Sequence, residues 1–143
     1  MSDIPRHEQT VHTVETRGIG LYGFGGSIDR WLSEIAARTG IVTVFCRHTS
    51  ASLTIQENAD PDVLRDLAEF FARLVPEDAP WFRHREEGPD DMPGHIRTAL
   101  TDVSLSIPVA EGELCLGTWQ EIYLFEHRRS PHHRSVVLHF AGY

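Results

Sequence analysis

The sequence predicts an α+β fold built on mostly antiparallel sheets. Strand-like and helix-like runs follow the order β, α, β, β, α, α, β, β, β. The strict alternation that builds a doubly wound parallel sheet is not sustained. The later strands are also apolar on both faces, with Ile122 and Leu124 on one side and Trp119, Tyr123 and Phe125 on the other. A sheet with one wet face alternates apolar and polar residues. These strands are therefore expected between layers or at a subunit contact.

Each element has its own signal. Residues 6–16 are rich in β-branched side chains, and Thr10, His12 and Val14 alternate with Val11, Thr13 and Glu15, which reads as a strand. "GIGLYGFGG" has the glycine content of a loop or distorted strand, and it lacks the Lys-Ser/Thr ending of a phosphate-binding loop. Ser27 suits the N-cap of a helix whose apolar face is Ile28, Trp31, Leu32 and Ile35, with Gly40 as its stop. "IVTVFC" is apolar throughout and reads as a central strand. Residues 51–56 alternate and read as its hairpin or offset partner. Asp60-Pro61 is a helix start, followed by an apolar stripe of Val63, Leu67, Phe70, Phe71 and Leu74. A short helix begins near Pro93, capped by Asp90 or Asp91, with His95 in its first turn and Ile96 and Leu100 on its apolar face. "VSLSIPV", "GELCLGTWQEIYLFEH" and "RSVVLHFAG" supply the remaining strands, with a turn at Pro131.

The 143 residues suit one domain, 1–143, with a real core. The formal net charge is −8, and no basic stripe exceeds His127-Arg128-Arg129, which argues against nucleic acid as a partner and against anionic membrane surfaces. No apolar stretch nears the ~18 residues that span a bilayer. The stretch "MSDIPRHEQTVHT" has no apolar signal core, so the expected location is cytoplasmic. Cys46 and Cys115 lie in apolar runs without C-x-x-C spacing and are expected to be buried, reduced thiols. His127, His132 and His133 are expected to be solvated loop residues.

Three polar clusters end predicted elements: residues 47–50, 57–60 and 84–95. His48, His84 and His95 can form a three-nitrogen face like that of a catalytic zinc site, although their spacing matches no local metal motif. Each can equally be a hydrogen-bonded structural histidine. Glu57, Asp60, Glu86, Glu87, Asp90 and Asp91 offer the oxygen ligands that Mg²⁺ prefers. Asp60 and Asp91 are also explained as helix caps, and "REE" as a solvated loop. Thr49, Ser50 and nearby amides can hold a phosphate, and Arg47 can pair with it bidentately. Trp119 and Gln120 can present a stacking face and an amide, or simply be packed. Residues 47–50 and 57–60 lie at opposite ends of one short strand. If that strand is straight, roughly seven residues at ~3.3 Å separate them by about 20 Å.

Taken together, "HTSASLTIQENADPDV", "HREEGPDDMPGHIRTALTDVSLSIPV" and "GELCLGTWQEIYLFEHR" closely resemble the YjbQ-like family, also called secondary thiamine-phosphate synthase, over essentially the whole chain. The resemblance implies a two-layer antiparallel β-sandwich of about seven strands with two or three helices, assembled as a homotrimer. It marks His48, Thr49, Ser50, Glu57, Asn58, Asp60, His84, His95, Trp119 and Gln120 as motif positions. Two positions depart from it: Gln56 stands where many relatives have Asn, and Gly94 where Ala is usual. The resemblance implies an enzyme that joins a pyrimidine-methyl diphosphate to a thiazole phosphate. On that basis His48, His84 and His95 are expected to hold a divalent metal, Zn²⁺ or Mg²⁺. Arg47, Thr49, Ser50 and Asn58 are expected to bind phosphate, and Glu57, Asp60, Trp119 and Gln120 to act in catalysis. A metal-dependent phosphoester hydrolase and a non-catalytic small-molecule-binding trimer are the alternatives.

Overall fold

The computed structural model describes residues 4–143; residues 1–3, which begin the polar N-terminal stretch read above, lie outside them. Eight strands and three helices form among the described residues: β1 (Arg6–Thr16), β2 (Gly20–Gly23), α1 (Gly25–Glu34), β3 (Gly40–Cys46), β4 (Ala51–Glu57), α2 (Pro61–Leu74), α3 (Asp91–Leu100), β5 (Ser104–Ala110), β6 (Glu113–Leu114), β7 (Gln120–Glu126) and β8 (His132–Gly142). Every pairing is antiparallel. The order in the larger sheet is β1-β8-β3-β5-β6, and in the smaller β2-β7-β4. The α+β reading holds, with one strand more than the resemblance implied. The extra strand is short β2, drawn from the glycine-rich stretch, which pairs with β7 over Gly20–Gly23.

The core lies between the two sheets. Val42 and Val44 of β3 and Val136, Leu138 and Phe140 of β8 meet Leu53 of β4 and Ile122 and Leu124 of β7, and Ile28 and Leu32 of α1 join the same cluster. Burial of β7 on both faces is as the sequence predicts, since Tyr123 and Phe125 are buried too. Behind them stands α2, whose Phe71 meets Phe125 edge to face at 5.4 Å. Among the described residues, the outer face of the larger sheet has no such cover: Val11, Ile41 and Phe45 are 52, 50 and 45% exposed.

Several local expectations change. The capping group of α1 is not Ser27. The helix starts at Gly25, and Glu121 of β7 reaches across to accept the Gly25 N–H at 3.0 Å. It also stops at Glu34, before Ala36 at φ 53°, and Gly40 opens β3 instead. β3 and β4 are not hairpin partners, because β3 pairs with β5 and β8 whereas β4 pairs with β7. Residues 47–50 therefore carry the chain from one sheet to the other. The stripe of α2 is only partly covered: no α2 residue is fully buried, and Phe70 and Leu74 face outward. Asp60 does cap α2, accepting the Asp62 N–H at 2.9 Å, with Pro61 in the first turn. α3 begins at Asp91, two residues ahead of Pro93. Leu100 on its expected apolar face is exposed, as is Cys115. Trp119 precedes β7 in a turn and is 63% exposed. No helix among the described residues is long and apolar enough to cross a membrane.

Gly40 marks the tightest approach between neighbouring strands. A Cβ there would overlap the Ala141 carbonyl oxygen and crowd the Gly142 Cα, both backbone atoms that cannot step aside. Gly40→Ala is expected to destabilise the fold by about 2 kcal/mol, read as a lower urea midpoint at unchanged slope.

Candidate metal centre

Four side chains converge where α3 begins. Asp91 and His95 lie one helical turn apart on the same face, and His95 Nε2 is 3.0 Å from Asp91 Oδ2. The loop before the helix brings His84 to the same oxygen, with Nε2 at 2.6 Å. Glu87 Oε2 stands 3.3 Å from His84 Nε2, and Gly88 at φ +106° turns the chain back toward the helix. One ligand atom from each of His84, Glu87, Asp91 and His95 lies within 4.8 Å of the other three. Arg85 steadies the loop by donating to the carbonyls of Phe82 and Ala79.

The hydrogen bonds fix how these groups are presented. His95 Nδ1 is 2.7 Å from the Thr49 carbonyl oxygen, which can only accept, so Nδ1 carries the proton. In neutral His95 the lone pair is then on Nε2, aimed at a carboxylate oxygen. That oxygen faces a second imidazole nitrogen as well. Such a meeting is stable only with protons or a cation among the three atoms. Accordingly, hydrogen bonding to Asp91 raises the His84 pKa above its ordinary value. Burial alone would raise the Asp91 carboxyl. The hydrogen bond from His84 and the Arg128 charge outweigh it and hold the group below its usual range. Its second oxygen, Oδ1, accepts from Arg128 Nη1 at 2.8 Å. Two imidazoles and two carboxylates with this outer support form a donor set suited to a transition-metal dication.

Behind the cluster lies a buried network. Glu126, fully buried at the end of β7, accepts from Arg134 Nε at 2.7 Å and Nη2 at 2.5 Å, from the Thr16 hydroxyl at 2.6 Å, and from the amides of His127 and Arg128. Burial opposes its ionisation, but these partners keep its pKa low. Arg134 also donates to the carbonyl and hydroxyl of Ser50. Arg128 donates to Asp90 through Nε, and the Arg129 amide donates to Asp90 as well.

The predicted site residues fall into two groups. Arg47, His48, Thr49, Ser50, His84 and His95 lie toward the Glu126 end of the smaller sheet. His48 does not join the other two histidines around Asp91. Its Nε2 accepts the Ser135 amide at 2.7 Å, and burial and the Arg134 charge lower its pKa. It does share a cavity wall with His95. Glu57, Asn58, Asp60, Trp119 and Gln120 lie at the other end. β4 runs in unbroken register with β7 from Ala51↔Glu126 to Glu57↔Gln120, so about 20 Å separates the ends. Each of these five has a local engagement. Asp60 caps α2, Glu57 Oε2 accepts the Asp60 amide, the Asn58 amide donates to the Trp119 carbonyl, and Gln120 Oε1 accepts the Gly117 amide. Asp91, which the sequence explains equally well as a cap, is the hub. Its i,i+4 spacing to His95 was the available signal.

His127 is the sharpest departure. It is fully buried, not solvated, and its Nε2 pairs with the Ser52 hydroxyl at 2.8 Å. Burial, reinforced by the Arg97 charge, lowers its pKa to about 3. The unfolded chain takes up a proton near 6.5 that the fold refuses. Stability is therefore complete above the unfolded value and falls as pH drops toward 3. Between pH 7 and 5 the expected loss is about 2 kcal/mol. Paired urea titrations of wild type and His127→Gln check this: the variant should lose most of that slope, and equal slopes would refute it. Gly94 packs against the same residue, and a Cβ there meets the His127 and Ser50 Cβ atoms at an ordinary 3.5 Å. Gly94→Ala is expected to add roughly 0.5–1 kcal/mol to stability by calorimetry.

A family model described as UPF0047 protein YjbQ-like matches residues 9–143. A UPF0047 protein of Synechocystis sp. is 54% identical over 137 residues, covering 96% of this chain and 93% of that protein. The UPF0047 protein YjbQ of Escherichia coli O157:H7 is 40% identical, covering 84% and 89%. The crystal structure of a hypothetical protein from Aeropyrum pernix K1 superposes with a TM-score of 0.86 at 31% identity, covering 95% of this chain and 99% of that one. A YbjQ-like protein of unknown function from Sulfolobus solfataricus P2 shares the fold with a TM-score of 0.84 at 18% identity, over 96% and 100%. By the family match and by the extent of these identities, the chain belongs to the UPF0047, YjbQ-like family.

Proposed function

We propose that the protein is a metal-dependent enzyme of small phosphorylated metabolites, of the secondary thiamine-phosphate synthase type. In that reaction a pyrimidine-methyl diphosphate loses diphosphate, and the carbon so released is captured by the nitrogen of a thiazole phosphate. The observation that carries the reading is the meeting of His84 Nε2 and His95 Nε2 on one oxygen of Asp91, with Glu87 beside them. A divalent cation held there supplies the positive charge that a departing diphosphate needs. The nitrogen donors favour zinc or a similar transition metal over magnesium. Arg128 keeps Asp91 ionised and oriented, and the Thr49 carbonyl keeps His95 in the tautomer that presents Nε2. The uncovered outer face of the larger sheet supports the homotrimer as the working form. In that assembly, Glu57, Asp60, Trp119 and Gln120 act from a neighbouring copy or not at all in this site, because their own chain holds them about 20 Å away.

Elemental analysis should find about one transition-metal ion per chain in wild type and less than about one tenth of that in Asp91→Asn. Zinc-loaded wild type should form thiamine phosphate from the two substrates, and Asp91→Asn should not. Absence of product from the zinc-loaded protein rejects the synthase reading. Phosphate release without the thiazole partner supports the hydrolase. Ligand-dependent stabilisation without any turnover supports a binding protein. On the exposed sheet face, Ile41→Glu should shift the sedimenting species toward monomer.

A further inference from the structure

Away from the Asp91 cluster, a second pair of imidazoles meets on the outer face of the larger sheet. Alternation puts His7, Gln9 and Val11 of β1 on that face. The register sets His139 of β8 beside Gln9, with Thr43 of β3 on its other side. His7 Nδ1 and His139 Nε2 are 3.1 Å apart, and the ring planes are tilted at 39°. His139 Nδ1 in turn is 2.9 Å from Gln9 Oε1. Neither imidazole has a carboxylate partner among the described residues, and the row that holds His7 continues through Ala141 and Ile41.

These contacts fix the protons. Gln9 Oε1 can only accept, so His139 carries its hydrogen on Nδ1 and its lone pair on Nε2. His7 Nδ1 donates to that lone pair. A carbonyl oxygen behind the ring is the usual outer support of a metal-bound histidine, and Gln9 supplies it. Two nitrogens bound to one tetrahedral zinc ion stand about 3.3 Å apart. The two imidazoles are therefore already close to the span that an ion needs. One change completes it: the exposed His7 moves its proton from Nδ1 to Nε2, and the ion takes the place of that proton between the rings.

We propose that His7 and His139 bind a transition-metal dication, with a carboxylate or imidazole of a neighbouring copy as a further ligand. The two-imidazole seat stands on the geometry of this chain and is separate from the Asp91 centre. The neighbour's ligand rests on the reading of this sheet face as the contact within a homotrimer. Copies of a chain with a formal net charge of −8 repel one another, and a dication at their contact opposes that repulsion. With two of the usual four protein ligands, the seat binds zinc in one chain with a Kd on the order of 10 µM. Such an ion is lost on desalting, so the metal retained by purified protein reports the Asp91 centre alone.

Full-length protein is loaded with zinc, desalted and then titrated calorimetrically with zinc. Wild type should take up about one further ion per chain with a Kd of about 10 µM or tighter. His7→Ala and His139→Ala should each weaken this uptake about ten-fold or more. Neither side chain is buried, and circular dichroism checks that the variants fold. Sedimentation velocity follows the same samples. Zinc should move wild type toward the larger species at concentrations where the zinc-free chain dissociates, and should leave His139→Ala unmoved. Equal uptake by wild type and both variants overturns the site, as does the absence of any further uptake by wild type. Histidine-dependent uptake that leaves sedimentation unchanged removes the neighbour's ligand and retains the two-imidazole seat. If Ile41→Glu sediments as wild type does, the contact reading of this face fails, while the seat still stands or falls by the histidine variants.

Discussion

The ion pair between Glu126 and Arg134 governs the rest of this structure. Glu126 closes β7 in the smaller sheet and Arg134 lies near the start of β8 in the larger, so one buried contact ties the two layers together. Burying two charges costs several kcal/mol each, and the attraction offsets this only when every remaining hydrogen-bonding position is filled. Here they are filled. Thr16 of β1 and the amides of residues 127 and 128 complete the carboxylate, Ser50 accepts from Arg134 Nη2, and Nη1 faces His48 Nδ1 at 3.5 Å. Two consequences reach the candidate centre. The turn after β7 is set so that Arg128 meets Asp90 and Asp91, and the crossover at Ser50 is set so that the neighbouring Thr49 carbonyl meets His95.

Charge is thus arranged in layers around Asp91. Arg128 faces one carboxylate oxygen, and two imidazoles face the other. The arginine is permanently charged, so the carboxylate stays an anion whatever the histidines do. The helix start therefore does not depend on which cation, a proton or a metal ion, would sit on the imidazole side. The same economy explains the neutral His127. Burial disfavours a charge there, and the Arg97 and Arg134 charges outweigh the opposing pull of Glu126.

Much of the fold is legible in the sequence because period and punctuation are local. The alternation in residues 6–16, the Asp60-Pro61 start and the two-sided apolar run of β7 each state their own structure. Partners are not local. Nothing in "IVTVFC" and "ASLTIQ" says that they join different sheets; that follows from which distant strands compete for each edge. α2 shows the same limit, since its apolar stripe is real but the surface it meets is a sheet of three strands that covers only part of it. In the candidate centre, His84 and His95 are visible from the motif blocks. Asp91 is hidden by a second sound explanation as a cap. His48 is misleading because an imidazole that accepts a backbone amide looks, in sequence, like one that waits for a ligand. Glu126 and Arg134 are hard to see because a charged residue in or beside an apolar run reads as an edge, not as an interior pair.

His84 and Glu87 come from the loop over residues 75–90, whereas Asp91 and His95 come from α3. A cation bridging the two would act as a staple, removing chain freedom as a cross-link does. That loop carries Arg83 and Arg85 on its exposed side. With such a staple in place, a trypsin-like protease would cut that segment more slowly than without it.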